Sequence, residues 1–183
     1  MSRVAAVVAL VVALVPALVL AQRPQPSSSP TLTPHGTLRE LMKGLVDPTA
    51  TKLYDAVVVE TTEKGTVENG PTTDESWADV AHTAMTLAEA GTLLKVSNRP
   101  VVAPEQMDEK SLDASELAPR AIQAMIAKNP LVFAAMADAM SAKAAAVMTL
   151  ARAKKLAGLA ESIEAIDGTC RACHTVFWYP NRK

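Results

Sequence analysis

The apolar positions of the chain recur mainly at helical spacing. From Gly36 they fall on one face of a predicted first helix, which extends to Glu60 and bends at Pro48 because proline interrupts helical hydrogen bonding. A second helix is predicted to begin at Thr73 or Asp74, either of which can cap it. The apolar residues of this second helix recur every three or four positions, as in the seam of a helical bundle. They are Trp77, Val80, Ala84, Leu87, Gly91 and Leu94.

Two polar connections, 63–71 and 101–119, separate the helical segments. Helical pattern returns over 120–128, and it is strong from Leu131 to Arg152. The last helix has the most regular core stripe, which consists of Leu156, Leu159, Ile163, Ile166, Cys170, Cys173 and Phe177. No strand pattern competes with the helices. The predicted fold class is therefore all-α, an up-and-down antiparallel four-helix bundle.

Composition agrees with a helical domain. The chain has 183 residues, of which 49% are hydrophobic and only 3% aromatic. An apolar content made mainly of Ala, Leu, Val and Met favours helices over strands. The net charge of -1 argues against a nucleic-acid-binding protein, which would carry a basic stripe.

The amino terminus has the pattern of an export signal. An apolar run from Val4 to Ala21 predicts a signal peptide over 1–21, cleaved before Gln22, and an uncleaved membrane anchor is the alternative. Residues 22–35 are rich in Pro and Ser and predict a flexible tether. The folded domain, 36–183, is therefore expected outside the cytoplasm.

The five residues Cys170-Arg171-Ala172-Cys173-His174 form the attachment signature for haem c. Two thiols three residues apart on a helix lie nearly on one face, so each can add to a vinyl group of the same porphyrin. The adjacent imidazole is then carried close to the iron as its proximal ligand. A zinc site would need further ligands, and only His35 and His82 remain. A thiol-disulfide enzyme using the two cysteines stays open as an alternative of another class.

An exported helical chain with a single haem motif in its final helix resembles the class II cytochromes c, namely cytochrome c′ and its low-spin relatives of the cytochrome c-556 type. Most members of the other large class have this motif near the N-terminus. The resemblance covers about residues 36 to 179. It implies a four-helix bundle in the periplasm, one covalent haem c between the helices, attachment through Cys170 and Cys173, and His174 as the proximal iron ligand. Trp178 is a departure, because family members often have a basic residue at this position.

The sixth iron ligand decides the function expected from this resemblance. Met42 lies four and three residues from Leu38 and Leu45, so it is predicted to face the bundle, and it stands where low-spin members carry a methionine ligand. His82 is predicted on the surface, and His35 in the tether. The remaining methionines are interpreted as core filler, which is their usual role. They are Met85, Met107, Met125, Met136, Met140 and Met148.

The predicted function is one-electron transfer between periplasmic or membrane-bound redox proteins, with no enzymatic activity. A five-coordinate protein that binds nitric oxide or carbon monoxide is the first alternative. The resemblance also allows a homodimer. Arg171, Arg182 and Lys183 cluster at the end of the last helix, where they either compensate the helix dipole or contact an acidic partner; both interpretations remain open.

Overall fold

The computed structural model describes residues 32–110 and 114–180. The predicted signal peptide, most of the tether, and Arg182 and Lys183 lie outside these ranges. The elements, in chain order, are α1 (Leu38–Leu41), a π-helical turn (Met42–Val46), α2 (Asp47–Tyr54), β1 (Val58–Thr62), β2 (Gly65–Asn69), α3 (Asp74–Leu94), a short 3-10 helix (Pro104–Gln106), α4 (Pro119–Lys128), α5 (Pro130–Arg152) and α6 (Leu159–Phe177).

The prediction of an all-α four-helix bundle is wrong. The described residues are mostly helical, but β1 and β2 form a two-stranded antiparallel sheet where the first helix was predicted to continue and a loop to follow. The first helix ends at Tyr54 and is itself divided by the π-helical turn. The expected single bundle helix is therefore three short helical pieces followed by a hairpin.

The β-branched content of this segment explains the hairpin. Val57, Val58 and Val59 follow one another, and β-branched side chains favour extended backbone over helix. The strands pair from Val58 with Asn69 to Thr62 with Gly65. Gly65 has φ of 120°, a conformation that other residues rarely adopt, so it permits the tight reversal. The hairpin's side chains are mostly exposed.

Local signals set the helix starts. Thr37 caps α1 with a capping box to Glu40, and Thr73 caps α3 with a reciprocal pair to Ser76, which confirms the predicted start of the second helix. Pro119 and Pro130 occupy the first positions of α4 and α5, where a missing N–H costs no intrahelical bond.

The core lies between α3, α5 and α6, and α3 packs most extensively against α5. The predicted seam of α3 is buried at every position from Trp77 to Leu94, as expected. On α6, the predicted stripe residues Leu159, Ile163, Ile166 and Phe177 are buried. Phe177 meets Phe133 of α5 edge-on, with ring centroids 5.4 Å apart. These contacts fix α6 against α5 and thereby position the cysteine motif.

At Gly91, α3 and α5 pack too closely to admit a side chain. A Cβ on Gly91 would overlap Ser141 Oγ and lie 2.8 Å from the carbonyl oxygen of Ala137. Ser141 is held in place because its hydroxyl donates to the carbonyl of Ala88 at 2.8 Å. The two helix backbones can therefore come this close only where α3 has no side chain.

Gly91→Ala is expected to destabilise the protein by about 1–3 kcal/mol, because the methyl group must force the helices apart. Gly168→Ala is the matched control: Gly168 is also helical, and a Cβ there has open space. The control should be neutral or stabilising by up to about 1 kcal/mol from helix propensity. Urea unfolding of the purified proteins measures both; equal stabilities would refute the close-packing interpretation.

Helix α5 is long and apolar enough to cross a membrane by length and composition, and it alone passes that test within the described ranges. The core helix of a soluble protein passes the same test. In this structure α5 packs buried side chains against α3 and α6.

Candidate functional site

The attachment motif lies in the second half of α6, and its side chains line a cavity of about 360 Å³ between α6, α5 and the segment from the π-helical turn to α2. Cys170, Cys173 and His174 all line this cavity, and Met42 lines it from the π-helical turn. The structure therefore brings together all four residues predicted for the site.

The cavity has largely apolar walls. The α5 wall consists of Phe133, Met136, Ala137 and Met140. A second wall comes from the π-helical turn and α2. It consists of Met42, Val46, Ala50 and Tyr54, which recur at intervals of four residues. Such walls exclude water from a bound ligand and lower the local dielectric.

The two cysteines are free thiols with their side chains partly buried. Burial, and then the charge of Asp167, raise the pKa of Cys170 above its ordinary value. Burial, and then Cys170, raise the pKa of Cys173 to about 11. Both thiols are thus protonated at neutral pH before any modification.

Tyr54 lies next to Cys170. Burial, followed by the influence of Cys170 and Asp167, raises the pKa of the Tyr54 phenol to about 12, so it is neutral at physiological pH. Tyr54 was not among the residues predicted for the site. It lies four residues after Ala50, which predicts that both share one helix face, but the direction of that face depends on the π-helical turn before α2.

His174 is partly buried and lies beside two aromatic side chains. Its ring centroid lies 5.9 Å from that of Trp178 and 6.4 Å from that of Tyr179. The backbone N–H groups of Trp178 and Tyr179 both donate to the carbonyl of His174 at 2.8 Å, at the end of α6. Burial lowers the pKa of His174, so the ring is neutral near pH 7, the form that can bind a metal. Trp178, which departs from the class II pattern, thus packs beside the predicted ligand.

Charged groups stand at the cavity as well. Arg171 is held by Asp167 in an i,i+4 ion pair at 2.6 Å, and both line the cavity with Lys43 and Asp47. Exposed ion pairs of this kind contribute little stability. The ion pair holds the guanidinium of Arg171 against α6, the helix that carries both partners.

The structure separates the remaining candidates. Met136 and Met140, interpreted as core filler, line the cavity with Met42. Their interval of four residues predicts that both lie on one face of α5. Which cavity that face lines depends on how the helices pack. His35 and His82 are exposed, as predicted. Within 32–110 and 114–180, no group of three or more His, Cys, Asp or Glu side chains is arranged so that it could hold a metal ion.

The donor set fits a haem c. Two thiols three residues apart, a neutral imidazole next in sequence and a thioether from another helix face one apolar cavity, whose volume lies within the range of about 300–1,000 Å³ typical of ligand sites. No protein-family model matches the chain, and neither the curated proteins nor the solved structures contain a match.

Proposed function

We propose that this chain is an exported monohaem c-type cytochrome, related to the class II cytochromes c, that carries single electrons between redox proteins. One observation carries the proposal. The thiols of Cys170 and Cys173, the imidazole of His174 and the thioether of Met42 line the same apolar cavity. A haem, when bound, supplies a redox centre that exchanges one electron.

Each of these side chains has a role in the proposal. Cys170 and Cys173 would hold a haem through two thioether bonds, and the neutral ring of His174 and the thioether of Met42 would bind its iron. The bound group would supply one-electron redox chemistry, and ligation by two protein side chains would suit a carrier and require no catalytic residue.

The site's electrostatics oppose a thiol-disulfide enzyme. Such enzymes lower a thiol pKa with the N-terminus of a helix or a nearby cation. Here the cysteines lie in the second half of α6, far from its start at Leu159, and burial raises both thiol pKa values. A poorly nucleophilic pair in an apolar cavity is better suited to permanent attachment.

Export is part of the proposal because the apolar run from Val4 to Ala21 has the pattern of a signal peptide. We propose a periplasmic location, with the leading segment either removed or kept as an anchor.

Haem retention in the full chain tests the proposal. After expression in cells competent in cytochrome maturation, the purified protein is expected to be red and to keep its haem through acid-acetone extraction. Thiol titration under denaturing conditions should find no free thiols, since both would be thioethers. A colourless protein with two titratable thiols would refute the assignment.

A further inference from the structure

The irregular turn that carries Met42 has an identifiable cause. In the turn Met42–Val46, the backbone N–H of Asp47 donates to the carbonyl of Met42, five residues back instead of the four of an α-helix. The next residue is Pro48, inside the helical run. Proline has no N–H, and its ring clashes with the carbonyl four residues before it, here that of Gly44. A wider turn at this point relieves the clash.

Both flanks of the turn are held independently. The N–H groups of Leu38 and Arg39 donate to the carbonyls of Pro100 and Val101, at 2.8 and 3.0 Å. On the other side, α2 is fixed by the buried residue Leu53. The π-helical turn contains one residue more than an α-helical turn. This residue therefore sets the rotation of α1 relative to α2 about the helix axis.

This rotation decides where Met42 points. An α-helix advances about 100° per residue, so the twelve steps from Met42 to Tyr54 would place these two side chains about 120° apart. One additional residue in a wide turn removes about one residue's rotation and leaves about 20°. Accordingly, Met42, Val46, Ala50 and Tyr54 all line the same cavity.

We propose that Pro48 is a positioning residue: by maintaining the π-helical turn, it directs the thioether of Met42 into the cavity opposite the motif of α6, and so controls how often the sixth iron position is open. This inference rests on the proposed function, since it concerns a bound haem. Pro48 would thus influence whether Met42 binds the iron, although Pro48 is not itself a ligand.

The test is Pro48→Ala in the haem-loaded full chain. Alanine restores an N–H that can bond the carbonyl of Gly44, so the regular α-helical turn competes and rotates Met42 away from the cavity in part of the molecules. Because the state with Met42 away from the iron becomes more populated, we expect carbon monoxide to bind the reduced protein about tenfold faster. The high-spin fraction in the oxidised spectrum should rise as well.

Two further variants isolate the turn. Pro48→Ala combined with deletion of Gly44 removes the extra residue, so an uninterrupted α-helix again directs Met42 into the cavity. Gly44 is exposed and a Cβ there meets nothing, so its loss removes no side-chain contact. This variant should return carbon monoxide binding to the wild-type rate. Pro130→Ala, at the first position of α5, is the matched proline control and should leave the spectrum unchanged.

The outcomes distinguish the two proposals. Faster binding in Pro48→Ala, reversed by deletion of Gly44, supports the positioning role. If Met42→Ala opens the iron and Pro48→Ala does not, the positioning role is overturned and the cytochrome assignment stands. If neither variant changes a covalently haem-loaded protein, Met42 is not the ligand and the positioning role fails with it. A chain that attaches no haem overturns both.

Discussion

Replacing both Cys170 and Cys173 by alanine is expected to leave a chain with no covalently bound haem. The two thioether bonds are the only proposed covalent links, and these are the only cysteines of the chain. Haem staining after denaturing electrophoresis should therefore fall from a full signal to none. This is the largest effect that the proposed site predicts.

The single variants provide the internal control. Cys170→Ala and Cys173→Ala each leave one thiol on the cavity wall, so some covalent haem should remain if both residues take part. Full covalent staining of the double variant would contradict attachment through this motif. His174→Ala separates attachment from ligation, since it removes the proposed iron ligand and leaves both thiols.

Replacing Met42 by alanine should convert a low-spin haem protein into a high-spin one. With the thioether gone, the sixth position opens, and carbon monoxide should bind the reduced protein at least about tenfold faster. The midpoint potential should fall, because thioether ligation raises it. Optical spectra of both oxidation states and stopped-flow mixing with carbon monoxide measure these changes.

Met136→Ala and Met140→Ala are the matched controls, since both side chains line the same cavity from α5. Met140 is 5% exposed, so its truncation should cost about 2–5 kcal/mol of stability while the low-spin spectrum remains. If Met136→Ala opens the iron instead, the ligand comes from α5. A wild-type protein that is already high-spin would favour the gas-binding function over the electron carrier.

The clearest success of sequence reasoning is α6. Its core stripe alternates steps of three and four residues, and this periodicity depends only on local helix geometry. The structure buries Ile163, Ile166 and Phe177 on that stripe and turns both cysteines to the cavity. The start of α3 was predictable for the same reason, because Thr73 caps its own helix through neighbouring backbone atoms.

The hairpin was not predicted, although the sequence carries a signal for it. The run of three valines before Glu60 favours a strand, but the apolar positions of this segment also fit the helix that was predicted to extend to Glu60. Short apolar runs fit both periodicities, so propensity must decide between them. A bend was predicted at Pro48, and the structure has a π-helical turn directly before α2, the helix that contains this proline.

The sequence by itself determined the donor residues of the proposed site and the helix α6 that bears three of them, because a five-residue motif and a helical stripe are local properties. Only the tertiary structure decided that Met42, Tyr54, Met136 and Met140 share one cavity with the cysteines. Those residues come from separate segments, and their common orientation depends on the packing of α5 against α6 and on one additional residue in a turn. Such long-range contacts have no signature in any single stretch of chain.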